Sequence, residues 1–332
     1  MTGLRWGILA TGWIARRFVQ DLNVAGLNVT AVGSRRSDVA VRFAQEFDIP
    51  TAHGSYEDLV SDPNVDIVYV ATPHPSHAEY ALLALEHGKH VLVEKPFTLI
   101  ESEARRVKER AQELGLLAME AMWTRYLPHM VRIHEILNAG TLGDIRAVVA
   151  DHMMRLPSDP EHRLNSLELG GGALLDLGIY PISFAWDILG VPTSVAAVGR
   201  LSETGADTEA SITMVHGSGA ISTSITSSRA NGSNTAQIVG TDARIEIDRI
   251  WYNSTSFSVL SHDGRLLERF EEPVEGRGMQ YQAIAAEAII QSGTLDNTVL
   301  PIEESVAIVG TLDEIRRQLG VVYPVESRAT VA

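Results

Sequence analysis

Apolar and polar positions follow two textures along the chain. Over roughly the first 120 residues, short apolar runs take turns with amphipathic stretches, the pattern of a parallel α/β domain. Leu4–Leu9 reads as a strand and Trp13–Leu22 as the helix after it. Val29–Val32 and Ser37–Phe47 repeat the pair. Ile67–Ala71 is a fully apolar strand followed by a helix over Ser76–His87. His90–Val93 and Leu116–Met119 read as two further strands around an amphipathic helix near Ile100–Leu114. Runs this apolar suit strands covered by helices on both faces. The expected first domain is residues 1–122, a doubly wound parallel sheet.

After Met122 the texture changes. Helices are expected over Arg125–Asn138 and Ala173–Leu189. Longer strands are expected at Ile145–Met153, Ser194–Leu201, Ala210–Val215, Ala220–Thr226 and Thr235–Val239. Turns such as His216-Gly217-Ser218-Gly219 and Ala230-Asn231-Gly232-Ser233 join them, which implies an antiparallel or mixed sheet. Two helices, near Met279–Gln291 and Glu303–Leu319, are expected to close this half. Residues 123–332 are therefore read as one α+β domain with a large open, mostly antiparallel sheet.

Composition narrows the chemistry. The 332 residues carry 27 basic and 42 acidic side chains, a formal net charge of −15, which argues against a nucleic-acid partner. No window approaches 18 uninterrupted apolar residues, so no membrane span is expected. The N-terminus enters a strand after three residues and lacks signal-peptide features. Cysteine is absent, which removes disulfides and thiolate chemistry. The expectation is a cytoplasmic protein working with O and N groups or a cofactor.

Between the first strand and first helix the chain reads Ala10-Thr11-Gly12-Trp13-Ile14-Ala15, where a dinucleotide fingerprint has G-x-G-x-x-G/A. Small residues let the backbone approach a pyrophosphate, and the helix N-terminus offers it free N–H groups. Ala10 replaces the usual first glycine, and a tight turn with small residues for packing is the alternative reading. An NAD site would place Asp or Glu about 20 residues beyond the glycines. Here the second strand ends in Gly33-Ser34-Arg35-Arg36, whose hydroxyl and guanidinium groups match the 2′-phosphate of NADP. Solvated surface arginines are the alternative.

Glu94-Lys95-Pro96 ends a buried strand, at the edge where doubly wound sheets bind ligands. Asp176 and Tyr180 share a face of an otherwise apolar helix, where a carboxylate and a phenol are costly unless hydrogen-bonded or open to a cleft. A capping Asp and an edge Tyr would also satisfy that pattern. His74 and His77 invite a metal reading, but three protein ligands are usual and no third stands at an obvious spacing, so no metal is expected.

The segments Ala71-Thr72-Pro73-His74-Pro75-Ser76-His77, Val93-Glu94-Lys95-Pro96, Met119-Glu120-Ala121-Met122-Trp123-Thr124-Arg125 and Gly171–Tyr180 occur in order behind the opening fingerprint. Together they resemble the glucose–fructose oxidoreductase/inositol dehydrogenase (Gfo/Idh/MocA) family. The Trp-Thr-Arg and Gly-Ile-Tyr segments are most similar to its dimeric dihydrodiol dehydrogenase and NADP-dependent D-xylose 1-dehydrogenase branch. The resemblance covers nearly the whole chain, is most specific over residues 55–180 and thins after residue 240.

That resemblance implies a Rossmann domain, Lys95 beside the nicotinamide and the reacting hydroxyl, Tyr180 where many members have histidine, and Asp176 holding substrate. It also implies that Thr72, Pro73, His74, His77, Glu94, Trp123 and Arg125 line the cofactor and substrate pocket, and that the protein is a homodimer formed through the open sheet faces. A phenol near pKa 10 is a poor base at neutral pH, and a nearby ammonium lowers that value. The expected activity is NADP-dependent hydride transfer to or from a hydroxyl carbon of a sugar, polyol or cyclic diol, with Tyr180 as acid/base and Lys95 as its electrostatic partner. An NAD-dependent cyclitol dehydrogenase and a non-catalytic NADP(H) sensor are the alternatives.

Overall fold

The computed structural model describes residues 3–295 and 297–329, with the side chains of 327–329 left aside. In chain order its elements are β1 (Arg5–Leu9), α1 (Trp13–Val24), β2 (Asn28–Gly33), α2 (Ser37–Phe47), β3 (Thr51–His53), α3 (Tyr56–Ser61), β4 (Ile67–Val70), α4 (His77–Glu86), β5 (His90–Glu94), α5 (Glu101–Leu114) and β6 (Ala118–Ala121). Then follow α6 (Pro128–Asn138), β7 (Ile145–Met153), α7 (Ile179–Leu189), β8 (Pro192–Leu201), β9 (Asp207–His216), β10 (Ile221–Ser227), β11 (Ala236–Gly240), β12 (Ala243–Ile247), β13 (Phe257–Ser261), β14 (Leu266–Phe270), α8 (Gln280–Ser292), α9 (Ile302–Leu319) and α10 (Pro324–Ala329).

Two compact units emerge. The first holds residues 1–126 and 274–309, and the second 127–273 and 310–332; residues 1–2 and 330–332 lie outside the described residues. Where the sequence reading places a single break at 122/123, α8 and the start of α9 pack with the first unit. The reason is polar anchoring. The nearly buried Asp21 of α1 accepts the backbone N–H of Arg277 (3.0 Å) and of Met279 (2.8 Å), and Trp6 Nε1 of β1 donates to Glu287 of α8 (2.8 Å).

In the first unit six parallel strands run in the order β3-β2-β1-β4-β5-β6, the doubly wound Rossmann arrangement. Every residue of β4 and β6 is buried, as strands covered on both faces require. Because all six are parallel, the residues that follow each strand gather at one carboxyl edge. β3 and α3 were not expected: three and six residues are too few to show a period.

The second unit is built on eight strands in the order β14-β13-β12-β11-β7-β10-β9-β8, antiparallel except for the β7–β10 pair. The alternation of Ile145–Met153 buries Val148, Ala150 and His152 on one face and exposes Val149 on the other. β12 to β14 had not been anticipated. The segment Leu167–Leu189 has the length and apolar character of a membrane-crossing helix, which the sequence reading did not foresee, yet most of it is buried inside the protein as a core helix.

The expected helix over Ala173–Leu189 divides into a π-turn at Leu174–Gly178 followed by α7. Asp207 of β9 caps its start, accepting the Leu174 N–H at 2.6 Å from a fully buried position. Burial pushes this carboxyl up to about 6, against the backbone donors that favour its charge. A carboxyl raised on folding binds its proton more tightly in the folded chain. Its contribution is therefore greatest below its unfolded value near 4 and is lost as pH rises through about 6. Asp207→Asn, which cannot ionise, should remove a stability loss on the order of 2–3 kcal/mol between pH 4 and 7. Chemical denaturation of both proteins across that range checks this; parallel curves would contradict it.

Candidate active site

At the carboxyl edge of the parallel sheet, the turn after β1 has the features of a phosphate cradle. Ala10 takes a left-handed φ of 88°, the conformation for which the fingerprint ordinarily uses glycine, and its N–H bonds Gly33 O at 3.1 Å. A Cβ built on Gly12 meets nothing within 4 Å, so the space above it is open. Gly12 is the N-cap of α1 and no side chain caps the helix, which leaves the first-turn N–H groups of Trp13, Ile14 and Ala15 to an outside acceptor. These residues fit a dinucleotide diphosphate.

At the end of β2, Ser34 is nearly buried and its Oγ accepts the Arg36 N–H at 3.3 Å. The Arg35 guanidinium is close enough to the Tyr56 phenol to oppose the rise that burial gives its pKa. Arg36 is mostly exposed and pairs with Asp38 at 2.9 Å, and Arg42 pairs with the same carboxylate at 2.8 Å. Arg42 was missed in the sequence; its place one helical turn after Asp38 was the available signal. Two guanidinium groups on one exposed carboxylate can exchange it for a phosphate at little cost.

Following β4 and β5, several of the residues expected at the cofactor are buried and bonded within the protein. His77 is fully buried, with Nδ1 2.9 Å from Pro96 O and Nε2 2.9 Å from Thr72 O. Burial holds its pKa below the ordinary value, with the two carbonyls working the other way. It clasps the two loops of the edge. His74 is also buried and meets the His77 ring edge-on at 5.6 Å. Glu94 is likewise internal: Tyr69 donates its phenolic hydrogen to one carboxyl oxygen and the Lys95 N–H bonds the other. Burial pushes Glu94 upward as an acid.

Lys95 follows it, half-buried, ahead of a cis bond to Pro96. The Phe97 N–H donates to Glu120 Oε1 at 3.0 Å, and burial raises this second carboxyl to about 7. Arg125 is turned inward as well. It pairs with Glu304 at 2.7 Å and its side chain is only 3% exposed, so it ties the chain after β6 to α9. Trp123 is buried with the Arg277 guanidinium 5.0 Å from its ring. Thr72 is buried beside Pro73, at the start of the loop that His77 clasps.

The second unit holds the other expected groups. Asp176 stands in the π-turn, a form enriched at functional sites, and pairs with Arg163 at 3.3 Å. Tyr180 opens α7 within a ring cluster: His152 meets it edge-on at 5.1 Å and Tyr252 lies 5.4 Å away, while His152 and Tyr252 stack at 3.7 Å. His152 Nδ1 donates to Leu177 O at 3.2 Å, which fixes the ring. His152 was missed, although the alternation of β7 marked it as a polar residue on the core face. Among the described residues, no three of His, Cys, Asp and Glu gather as metal ligands would.

A Rossmann sheet with an open phosphate turn, joined in sequence to a large, mostly antiparallel sheet, marks a dinucleotide-binding protein. The family model for the oxidoreductase family with an NAD-binding Rossmann fold matches residues 4–122, and the GFO/IDH/MocA C-terminal domain model matches residues 130–246. The chain belongs to the GFO/IDH/MocA oxidoreductase family. It is 36% identical to mouse trans-1,2-dihydrobenzene-1,2-diol dehydrogenase over 98% of this chain and 99% of that one. It is 35% identical to D-xylose 1-dehydrogenase (NADP(+)) of Hypocrea jecorina, over 97% and 93% of the two chains. Among solved structures, a 3-ketoreductase from Actinomadura kijaniata with bound NADP and TDP-benzene superposes with a TM-score of 0.84 at 28% identity, over 96% of this chain and 98% of that one.

Proposed function

We propose that this chain is an NADP-dependent oxidoreductase that transfers hydride between the nicotinamide and a hydroxyl or carbonyl carbon of a sugar, polyol or trans-dihydrodiol. The observation that carries this is the carboxyl edge of the parallel sheet: room over Gly12, Ser34, Arg35 and Arg36 at the end of β2, and Lys95 at the end of β5. The kinship with an NADP(+)-linked sugar dehydrogenase and a dihydrodiol dehydrogenase supports the substrate class. When bound, the nicotinamide supplies the hydride acceptor or donor. Tyr180 takes the proton from the substrate hydroxyl, or returns it to the carbonyl oxygen. Lys95 holds its ammonium toward that oxygen and favours negative charge there. Asp176, itself oriented by Arg163, accepts a substrate hydroxyl.

The homodimer belongs to the same proposal. The face of the large sheet opposite its core exposes Val149, Val198, Ile221 and Ile225 among serines, threonines and alanines, a surface suited to a second copy. A cytoplasmic setting, where NADPH is supplied, completes it.

NADPH should bind at least 10-fold more tightly than NADH, as read by quenching of tryptophan fluorescence. Replacing Arg35 and Arg36 together by Ala should erase most of that preference, by weakening NADPH alone. Equal affinities in the unmodified protein would refute the cofactor assignment.

A further inference from the structure

Arg277 lies far along the sequence from the dinucleotide fingerprint, yet the first unit returns it to the N-terminus of α1. The turn Glu275-Gly276-Arg277-Gly278-Met279 is built for this. Gly276 and Gly278 take φ of 71° and 96°, conformations that side chains resist. Asp21 of α1 fixes the turn by accepting the N–H groups of Arg277 and Met279, and a Cβ on Gly276 would strike that same carboxylate. Gln280 Nε2 closes it by donating to Glu275 O at 2.9 Å.

The side chain so aimed lies with its guanidinium carbon 5.2 Å from the ring of Trp13, the first residue of α1, and 5.0 Å from the ring of Trp123. Two indole faces hold a cation in place without neutralising it. The Arg277 Nε is buried with no hydrogen-bond partner among the described residues, a costly arrangement for a charged donor. Trp13 itself is 58% exposed, an unusual cost for an indole unless it shapes a binding surface. A guanidinium whose buried Nε has no partner among the described residues, facing at its other side the Glu94 carboxyl that burial pushes toward its neutral form, stands beside uncapped helix N–H groups and open space over Gly12, a setting that calls for an anion.

We propose that Arg277 is a further cofactor-binding residue, clamping the diphosphate of the dinucleotide from the side opposite the first turn of α1. Trp13 and Trp123 serve as the rails that hold it there. The proposal rests on the dinucleotide reading above and adds a ligand that the fingerprint does not contain. A phosphate contact from a preset guanidinium is bidentate, so lysine at this position replaces it only in part.

Binding of NADP+, NAD+ and adenosine 2′-monophosphate to the unmodified protein, Arg277→Ala, Arg277→Lys and Arg17→Ala tests this by calorimetry. Arg17, whose guanidinium also lies 5.7 Å from the Trp13 ring, serves as the control for stacking alone. Arg277→Ala should weaken NADP+ and NAD+ by the same factor, about 10- to 100-fold, with Arg277→Lys between. Adenosine 2′-monophosphate, which lacks a diphosphate, should bind all four proteins alike, which also shows that the variants are folded. Unchanged NADP+ affinity in Arg277→Ala, or a loss confined to NADP+ and adenosine 2′-monophosphate, would overturn the assignment. Absence of dinucleotide binding in the unmodified protein would instead refute the functional reading beneath it.

Discussion

Tyr180→Phe should lower kcat by about 100- to 10,000-fold, the range typical of losing a positioned general acid or base. NADPH affinity should stay within about twofold, because the hydroxyl removed is not among the groups of the phosphate turn or of the end of β2. Packing changes little, since the phenyl ring keeps its contacts with His152 and Tyr252 and only one oxygen is lost. The loss should appear in kcat and kcat/KM together, as expected for an interaction made at the transition state. Steady-state rates, with cofactor titration beside them, separate this from a binding defect. A Tyr180→Phe enzyme with ordinary turnover would remove the phenol from the mechanism.

Gly172→Ala should cost on the order of 3 kcal/mol or more and yield little folded protein. Gly172 adopts φ of 140°, which side chains rarely accept, and its new Cβ would press on Asp207 Oδ1. That carboxylate caps the π-turn carrying Asp176 and the helix carrying Tyr180, so the strain falls on the support of both. Gly190→Ala is the matched comparison. Gly190 also has positive φ, 72°, but a Cβ there meets nothing within 4 Å, and the cost should be about 1 kcal/mol. Thermal melts of the two variants check the contrast. Equal stability would show that Gly172 matters only for its φ, not for the closeness of Asp207.

The parallel sheet was legible because its strands are buried on both faces and its helices carry one apolar stripe. Ser37–Phe47 and Ile145–Met153 have the boundaries that pattern predicted. What escaped was set by distance along the chain. Nothing near Arg277 in sequence reveals that Asp21, about 250 residues earlier, holds its backbone, so the packing of α8 with the first unit was not legible. The candidate site divides in the same way. The sequence marked His77 and Glu94 by type and position and Arg125 through the family resemblance, but not that each is buried and bonded within the protein. The motif records a need for those residues, and burial decides whether they touch a ligand or position others that do. β12 and β13 alternate, as Ile245 and Ile247 buried against half-exposed Arg244 and Glu246 show, but lie where the family motifs thin, and β14 buries no residue.

The most direct test follows absorbance at 340 nm while the purified protein is offered NADP+ with aldoses such as D-xylose and with trans-dihydrodiols. Substrate-dependent formation of NADPH, abolished or nearly so by Tyr180→Phe, is the predicted result. Tight NADPH binding with no turnover on any hydroxyl or carbonyl substrate would contradict the enzymatic account and leave a cofactor-binding sensor in its place.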